Sequence, residues 1–507
     1  MPETGAGQAT TDAETGGPAA AGTGQAGDGQ AAAARPSPNS APSPDPAGQA
    51  AGQAGQGAAR GRLAGAARRG YLLIPLLRRH WLLSLLLAAG FALRLLSQLA
   101  YRPALLYVDS VKYLYNAWPG TDPVGYKIPL KVILLFGNIQ TVAAVQHLVG
   151  LAMAVGIYVI LRRHGVAGWL SALATAPVLL DGYQLQIEQT VMPDVWFEAF
   201  ILGGLMLLLW RRRPALPAIV AAGLVLGASA PIRQVGEALI VPALIYVLPL
   251  AGGWRRALVH GGALCLAFAL PIVLYCSIAL VNTGHFRLSR SGTSSIYGRT
   301  AVAADCATLK LPAAERPLCP TPHQQYLGAD FLDHDPRSPL TLFVPPPGHG
   351  RSGFVNSFNR AVATQQPLNV LSSWLTDSVK LFALSRVTDP GDTPIWRWQF
   401  QGSYPTYNQA VSVNPDGVIV VGLRFQSSGG PFKYEALNPA LGGRAEVNKP
   451  LALFLRHYQL NGGYTPGPAY LFMALAGLIG SLGLALRRRA PQQRQLAIAC
   501  LLFFTTA

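Results

Sequence analysis

Long apolar stretches recur along this chain, and short clusters of arginine separate them. The hydrocarbon core of a bilayer is about 30 Å thick, so a crossing helix needs about 20 mostly apolar residues. Its backbone polar groups must be satisfied within the segment, which favours helices as the spanning structure. Only 12% of the residues are charged. The sequence therefore predicts an α-helical polytopic membrane protein.

The predicted fold is a bundle of about nine or more transmembrane helices, of which the third and fifth are short. The last span is still apolar at Ala507, so the sequence leaves open whether it is complete and whether further helices follow. The predicted spans cover residues 81–100, 141–161, 166–181, 192–210, 215–231, 236–252, 257–281, 467–486 and 495 to the end.

The arginine clusters predict the orientation of this bundle, because Lys and Arg in short loops stay preferentially on the cytoplasmic side. One cluster precedes the first span, and the others fill every even-numbered loop. They are Arg68-Arg69 with Arg78-Arg79, then Arg162-Arg163, Arg211-Arg212-Arg213, Arg255-Arg256 and Arg487-Arg488-Arg489. The amino terminus is thus predicted inside the cell, and residues 101–140, 182–191, 232–235 and 282–466 outside.

The net charge of +17 follows mostly from this topology. A basic chain can also indicate nucleic-acid binding, but these arginines flank helices in short clusters and lack an aromatic platform for stacking bases. We therefore predict no nucleic-acid partner. The predicted location is the cell membrane, with membrane lipids as neighbours.

The chain divides into four predicted regions. Residues 1–60 are rich in Ala, Gly, Gln and Pro and hold almost no large apolar side chains, so they are predicted to form a disordered cytoplasmic tail. Residues 61–281 form a transmembrane catalytic bundle that includes an acidic first outer loop, 101–140. Residues 282–466 form a large extracytoplasmic segment, and residues 467–507 hold the C-terminal spans.

The extracytoplasmic segment is predicted to have mixed or irregular structure. Residues 368–386 show the spacing of an amphipathic helix at the outer membrane interface, and residues 418–421 favour a strand. Cys306 and Cys319 fall in this segment, where the compartment permits disulfides. They either form a bridge or remain two free structural cysteines.

Acidic side chains at the outer ends of spans are the first candidates for a functional site, since ionisable groups at membrane depth are costly. Four acids qualify: Asp109, Glu188, Asp194 and Glu198. Such a carboxylate can accept a proton from an attacking hydroxyl. Structural alternatives remain for each. Asp109 could be a solvated loop residue or a helix cap, and Asp194 a helix cap. Glu188 could lie in water, and Glu198 could form a hydrogen bond inside the bundle.

Basic residues on the predicted outer side are fewer. Arg233 could hold a phosphate through parallel hydrogen bonds, or it could pair with Glu237 one turn further along. Lys112 and Lys127 of the first outer loop could also contact phosphate or reach towards lipid headgroups. His147, within the second span, is interpreted as a buried, hydrogen-bonded residue rather than a ligand.

Three stretches of residues 80–290 resemble the phospholipid carrier-dependent glycosyltransferases of the GT-C superfamily, which include protein O-mannosyltransferases and lipid A aminoarabinose transferases. They are Tyr107-Val108-Asp109-Ser110-Val111-Lys112-Tyr113, Gln146-His147-Leu148-Val149-Gly150-Leu151, and Asp181 to Gln184 with Glu188 and Met192-Pro193-Asp194. In that family the first outer loop carries an essential acid, which Asp109 matches. The usual second adjacent acid is replaced here by Ser110.

The resemblance implies transfer of a sugar from a polyprenyl-phosphate carrier to a hydroxyl on a protein, lipid or cell-wall glycan acceptor. Asp109 would act as base and Asp194 would support the site, while Arg233 and Lys127 would stabilise the departing phosphate. Glu188 and Lys112 are further substrate-binding candidates. Some members of the family hold a divalent metal near these acids, but a general metal requirement is not implied.

Two other classes of protein fit the same hydropathy pattern. A secondary transporter or lipid flippase would use intramembrane carboxylates as proton carriers, although no internal repeat or pair of matching halves is visible in this sequence. A noncatalytic membrane scaffold would explain the tail and the large insertion but gives the acids no role. Neither the sugar nor the acceptor can be read from the residues.

Overall fold

The computed structural model describes residues 75, 78–116, 123–289, 292–388, 391–407, 409–424, 431–482 and 499. The chain divides into two compact units, Met1–Ile74 and Pro75–Ala507, and all described residues belong to the second. The predicted tail, the cluster Arg487-Arg488-Arg489 and, apart from Ala499, the last predicted span lie outside the described residues.

The described chain is mostly helical. In the part preceding residue 284, the helices are α1 (Trp81–Ala100), α2 (Ser110–Tyr115), α3 (Lys127–Leu134), α4 (Ile139–Arg163), α5 (Gly168–Leu173), α6 (Ala176–Leu180), α7 (Gly182–Gln189), α8 (Asp194–Leu209), α9 (Leu216–Ser229), α10 (Ile240–Leu250) and α11 (Trp254–Thr283). A two-residue strand, β1 (Tyr101–Arg102), directly follows α1.

The remaining elements are α12 (Gly292–Ala303), α13 (Pro322–Tyr326), α14 (Gly328–His334), α15 (Pro339–Leu342), α16 (Arg351–Gln365), α17 (Pro367–Lys380), β2 (Val411–Val413), β3 (Ile419–Leu423), β4 (Lys433–Ala436), β5 (Glu446–Val447), α18 (Lys449–Leu460) and α19 (Gly467–Leu482). Short 3₁₀ turns also occur at Gln234–Leu239, Ala313–Leu318, Ile395–Trp398 and Pro439–Leu441.

Three helices, α1, α4 and α11, are long and apolar enough to cross a membrane, with 20, 25 and 30 residues. They confirm the predicted helices over 81–100, 141–161 and 257–281. Of the other predicted spans, 215–231, 236–252 and 467–486 contain shorter apolar helices, and a count of nine is not shown. Span 166–181 is divided into α5 and α6, because Pro177 lacks an amide donor and favours the first turn of a new helix.

Small residues allow α9 to lie close against α11. A side chain at Gly223 would meet the side chain of Ala267 at 2.8 Å, and one at Gly227 would collide with the backbone of Phe268. Close backbone approach through small residues is a common way for helices to associate in membranes, where no hydrophobic force drives them together. The sequence of α9 thus fits a tightly packed helix pair.

The first outer loop shares one hydrophobic core with the last part of the outer segment. Tyr101, Tyr126 and Val142 belong to this core together with Phe400 and Leu455. Strand β1 pairs antiparallel with β5, Tyr101 opposite Val447. Strands β2, β3 and β4 form an antiparallel sheet, which confirms the strand predicted around residues 418–421. The described residues of 101–140 and 400–455 therefore form a single structural block.

A second, helical block occupies residues 292–370. Tyr297 and Phe358 lie at its centre, with ring centroids 5.3 Å apart. Cys306 and Cys319 form a disulfide at its edge, with their Cα atoms 6.0 Å apart. The outer segment, predicted as mixed or irregular, is thus divided into a helical block and a sheet-containing block.

Helix α17 lies at the border of the helical block and has two distinct faces. Val370 is buried against the protein, whereas Leu368, Leu375 and Val379 on the opposite face are 76, 56 and 64% exposed. The exposed apolar face continues beyond the helix to Leu384. The helix confirms the amphipathic pattern predicted for this stretch, and its apolar side faces away from the protein.

Candidate active site

Hydrogen bonds dock the segment that carries Asp109 on the segment that precedes Asp194. Leu105 donates its amide to the carbonyl of Gln189 at 3.0 Å, and Val191 donates its amide back to Leu105 at 2.9 Å. The hydroxyl of Ser110 then donates to the carbonyl of Val191 at 2.8 Å. Two stretches that are distant in the sequence therefore meet just before each of the two predicted catalytic acids.

Gln146, buried in α4, forms hydrogen bonds to the same segment before Asp194. Its amide nitrogen donates to the carbonyls of Glu188 and Thr190, at 2.8 and 2.7 Å. Its carbonyl oxygen accepts the hydroxyl of Tyr126 at 2.9 Å. The ring of Tyr126 in turn contacts the ring of Tyr113, one turn beyond Asp109, at 5.1 Å. Polar groups that are fully satisfied in this way favour one arrangement of the site.

Asp109 directly precedes α2, but its carboxylate does not cap the helix. It pairs instead with the ammonium of Lys112 at 3.2 Å; the side chain of Lys112 is 3% exposed and that of Asp109 is 34% exposed. The cap weighed as an alternative for Asp109 is therefore not formed, and the carboxylate remains accessible. The ammonium of Lys112 also lies 5.0 Å from the centroid of the Tyr113 ring, so Lys112 contacts both this ring and Asp109.

Asp194 is the first residue of α8 and likewise makes no side-chain cap bond. One terminal nitrogen of Arg233 contacts both of its carboxylate oxygens, at 2.6 Å each. Burial would lower the pKa of Arg233, but Asp194, and after it Tyr113 and Asp109, raise it. Arg233 thus lies within the electrostatic field of both candidate acids, and its predicted alternative partner, Glu237, is exposed.

Lys127, at the start of α3, adds positive charge to the same place. Its ammonium donates to the side-chain oxygen of Asn116. Burial, followed by repulsion from Lys131 and Lys112, lowers its pKa to about 8. Lys112 neutralises Asp109 and Arg233 neutralises Asp194. The charges of Lys127 and Lys131 therefore give the site a net positive charge. The site is suited to an anionic group.

Glu188 lies behind this site rather than in it. Its side chain is fully buried and pairs with Arg94 of α1 at 2.7 Å and with His147 of α4 at 2.9 Å. His147 also bonds Gln189 at 2.8 Å, as expected for a buried, hydrogen-bonded histidine. The solvated position weighed for Glu188 is wrong, because every face of its carboxylate meets protein.

Sequence reasoning missed Arg94, although a single arginine inside the apolar run of α1 was a visible signal. It also missed Arg397 and Trp398 of the outer segment. Trp398 lies against Tyr107 at 4.7 Å between ring centroids, and Tyr407 meets the same ring at 5.0 Å. These residues cover the chain just before Asp109, and nothing in their own sequence context indicates that contact.

A cavity of about 370 Å³ lies between α4, α7 and α8. Gln184 and Glu198 line part of it, and the amide of Gln184 donates to the carboxylate of Glu198 at 2.8 Å. This bond is the structural role weighed for Glu198 from the sequence. Apolar side chains form much of the remaining wall: Met153, Ile157, Val178, Ile187 and Leu202.

The donor set at the site does not fit a resident divalent metal. Among the described residues, no group of three or more His, Cys, Asp or Glu side chains gathers in a way that could hold one. Each of the two acids already faces a cation at 3.2 Å or less. We therefore derive no step through a metal.

The site thus combines an accessible carboxylate, an aspartate–arginine pair and additional lysines. This arrangement can remove a proton from a hydroxyl and stabilise a departing anion. Comparisons with protein-family models, curated proteins and solved structures give no match for this chain.

Proposed function

We propose that this chain is a membrane glycosyltransferase of the GT-C type, which moves a sugar from a polyprenyl-phosphate carrier to a hydroxyl acceptor on the extracytoplasmic side. One observation carries the proposal: Asp109 and Asp194, which pairs with Arg233, are far apart in the sequence, yet the chain around Asp109 is hydrogen-bonded to the chain just before Asp194. A carboxylate, an arginine and unpaired positive charge meet the needs of proton removal and phosphate departure.

The proposal places about nine or more spans in the cell membrane, with the amino terminus in the cytoplasm and Asp109 outside. Two observations support this topology. The disulfide of Cys306 and Cys319 suits an oxidising compartment. The apolar face of α17 points away from the protein, and Phe382 and Ala383, just beyond α17, approach Gly467 at the start of α19. We propose that α17 lies in the headgroup region of the outer leaflet.

In the proposed reaction, the acceptor hydroxyl attacks the anomeric carbon of the donor sugar. The new bond joins the acceptor oxygen to that carbon, and the bond between the carbon and the phosphate oxygen breaks. Asp109 takes the hydroxyl proton and later releases it to water. Arg233 and Lys127 stabilise the departing polyprenyl phosphate, and Asp194 orients the guanidinium of Arg233.

The carrier tail needs an apolar environment beside the reacting phosphate. The cavity between α4, α7 and α8 offers apolar walls, while Tyr183 and Arg386 bring polar groups to it. The ring of Tyr183 lies 4.5 Å from the guanidinium carbon of Arg386. We assign this cavity to the part of the carrier next to its phosphate, and the rest of the tail to the surrounding lipid.

Sugar transfer from a labelled polyprenyl-phosphate donor in isolated membranes tests the proposal. Asp109→Asn removes the base and is expected to lower the transfer rate by about 100-fold or more. Asp416→Asn, at an exposed acid of the outer segment, is the matched control and should retain full activity. Equal transfer by the wild type and Asp109→Asn would remove the base from the mechanism.

The alternative, a secondary transporter or lipid flippase, is favoured by one observation. Arg94, Glu188 and His147 form a buried chain of ionisable groups across three helices, which is typical of proton pathways. A transporter would couple substrate movement to a proton gradient in proteoliposomes and would lose this coupling in Glu188→Gln. A transferase would show product formation without any dependence on the gradient.

A further inference from the structure

A separate pocket of about 440 Å³ lies on the outer segment and faces solvent. Its walls come from the turn around Ile395–Trp398, the chain that follows it, and α18. The lining residues are Trp396, Gln401, Gly402, Ser403, Lys449 and Arg456. We propose that this pocket binds an acidic saccharide and that it positions this glycan as the acceptor. This inference rests on the proposed function, because it names the acceptor class.

The charge of the pocket favours an anionic ligand. Lys449 and Arg456 both line it, and neither forms an ion pair with an acid anywhere in the described chain. Arg456 donates one terminal nitrogen to the carbonyl of Phe400 at 2.8 Å, which fixes the guanidinium and leaves other donors unused. Arg456, which is held in place, and Lys449 beside it have free donors that can hold a carboxylate through charge-assisted hydrogen bonds.

Buried side chains hold one wall of the pocket through hydrogen bonds. The hydroxyl of Tyr101 donates to the carbonyl of Gln401 at 2.6 Å and accepts the amide of the same residue at 3.0 Å. The side-chain oxygen of Gln459 accepts the amide of Phe400 at 2.8 Å. Because Tyr101, Phe400 and Gln459 are buried, the backbone on which Gln401 and Ser403 stand is held in place before any ligand arrives, which reduces the entropy lost on binding.

Trp396 supplies the feature that favours a sugar over a simple anion. Its side chain is 45% exposed, and its ring lies nearly parallel to that of Tyr407, with centroids 6.5 Å apart. A flat aromatic face is complementary to the apolar C–H face of a pyranose ring, while nearby amide and hydroxyl groups can bond its hydroxyls. Gln401 and Ser403 provide those groups.

The aromatic contacts lead from the pocket towards the candidate active site. The ring of Tyr407 lies near the rings of both Trp396 and Tyr107, with centroids 6.5 and 5.0 Å apart. Tyr107 lies two residues before Asp109. The buried ring of Tyr407 thus connects the wall of the pocket to the segment that carries the proposed base.

The competing ligand is an anionic lipid headgroup, since Leu453 and Phe454 of α18 are 46 and 50% exposed. The test uses the full chain in nanodiscs of zwitterionic lipid and measures binding of a galacturonic acid hexamer by calorimetry. The methyl ester of the same hexamer is the neutral probe. We expect the ester to bind at least about tenfold more weakly, as expected for loss of charged hydrogen bonds.

The variants Trp396→Ala and Lys449→Gln should each weaken binding of the acidic hexamer about tenfold. Lys449 is exposed, so its replacement leaves the fold intact, and Arg360→Gln on α16 is the control for general charge effects. The proposal is overturned if Arg360→Gln weakens hexamer binding as much as the pocket variants do. It is also overturned if the acid and the ester bind with equal affinity, or if the hexamer does not bind at all. If Trp396→Ala and Lys449→Gln instead lose binding to anionic-lipid nanodiscs but keep their affinity for the hexamer, the pocket binds a lipid headgroup.

The variant Asp109→Asn separates this inference from the proposed function. It should abolish sugar transfer and keep hexamer affinity unchanged, because Asp109 is not part of the pocket. Hexamer binding without any transfer by the wild type would contradict the proposed transferase alone. Transfer is also measured with the hexamer as added acceptor. If Trp396→Ala and Lys449→Gln then transfer sugar at the wild-type rate, the result contradicts the acceptor site alone.

Discussion

One terminal nitrogen of Arg233 contacts both carboxylate oxygens of Asp194, at 2.6 Å each. The pair joins the loop after α9 to the first residue of α8. Because a single nitrogen makes both contacts, the other donors of the guanidinium can still bind a phosphate. The pair therefore orients Arg233 without using up its hydrogen-bonding capacity.

This geometry predicts that Asp194 and Arg233 act as a unit in sugar transfer. Asp194→Asn and Arg233→Gln should each lower the rate about 10- to 100-fold, and the double variant should be no worse than the more severe single variant. The exposed pair Lys433–Glu435, at 2.6 Å, provides the control substitution Lys433→Gln. Losses that multiply in the double variant would show that the two residues act independently.

Lys127 predicts how donor binding depends on pH. With a pKa of about 8, its ammonium loses its charge as the pH rises through that value. At pH 9 only about a tenth of the molecules would retain the charge, so the KM for the donor should rise several-fold between pH 7 and 9. Lys127→Arg, which stays charged, should remove this rise. An unchanged slope in that variant would exclude Lys127.

The same group has the opposite effect on stability. The pKa of Lys127 is lower in the folded chain than in the unfolded chain, so the unfolded chain binds more protons between pH 8 and about 10. This contribution to stability therefore increases as the pH rises through that window. Thermal unfolding followed at several pH values separates this effect from donor binding.

The buried pair of Arg94 and Glu188 predicts a structural role. Glu188→Gln would leave the charge of Arg94 without its counterion, and breaking a buried pair in this way costs about 3–5 kcal/mol. The midpoint of thermal unfolding in detergent should fall clearly. Glu237→Gln, at an exposed acid, should leave it unchanged. The same midpoint for both variants would show that the buried pair does not support the fold.

The apolar face of α17 predicts contact with lipid. A fluorophore attached to Leu375→Cys, in a chain without Cys265, Cys276 and Cys500, should be quenched by spin-labelled lipids in nanodiscs. The same fluorophore at Arg360→Cys, on α16, should be much less affected. Equal quenching at both positions would contradict a specific placement of α17 in the outer leaflet.

The sequence predicted the elements that depend on local composition. The helices α1, α4 and α11 follow from long apolar runs, β3 from consecutive β-branched residues, and α17 from its periodicity. The division of residues 166–181 was not predicted, although Pro177 is a visible signal, because apolar length alone favours one continuous helix. The shortness of the other apolar helices likewise leaves the total number of spans a proposal.

The partners of the charged groups could not be predicted. Arg233 had Glu237 within one turn in the sequence, yet the fold brings it to Asp194. Trp398 and Tyr107 are separated by most of the chain and still pack ring against ring. Such contacts depend on how helices and outer blocks dock, which no local pattern records.

By itself, the sequence determined that this protein contains membrane-length apolar helices, because the cost of exposing polar groups to lipid is a property of each segment alone. Only the tertiary structure decided which acid is accessible and which is buried. Asp109 keeps a solvent-facing carboxylate while Glu188 is enclosed by Arg94 and His147. The difference arises from long-range packing, since burial and pairing are properties of the assembled fold.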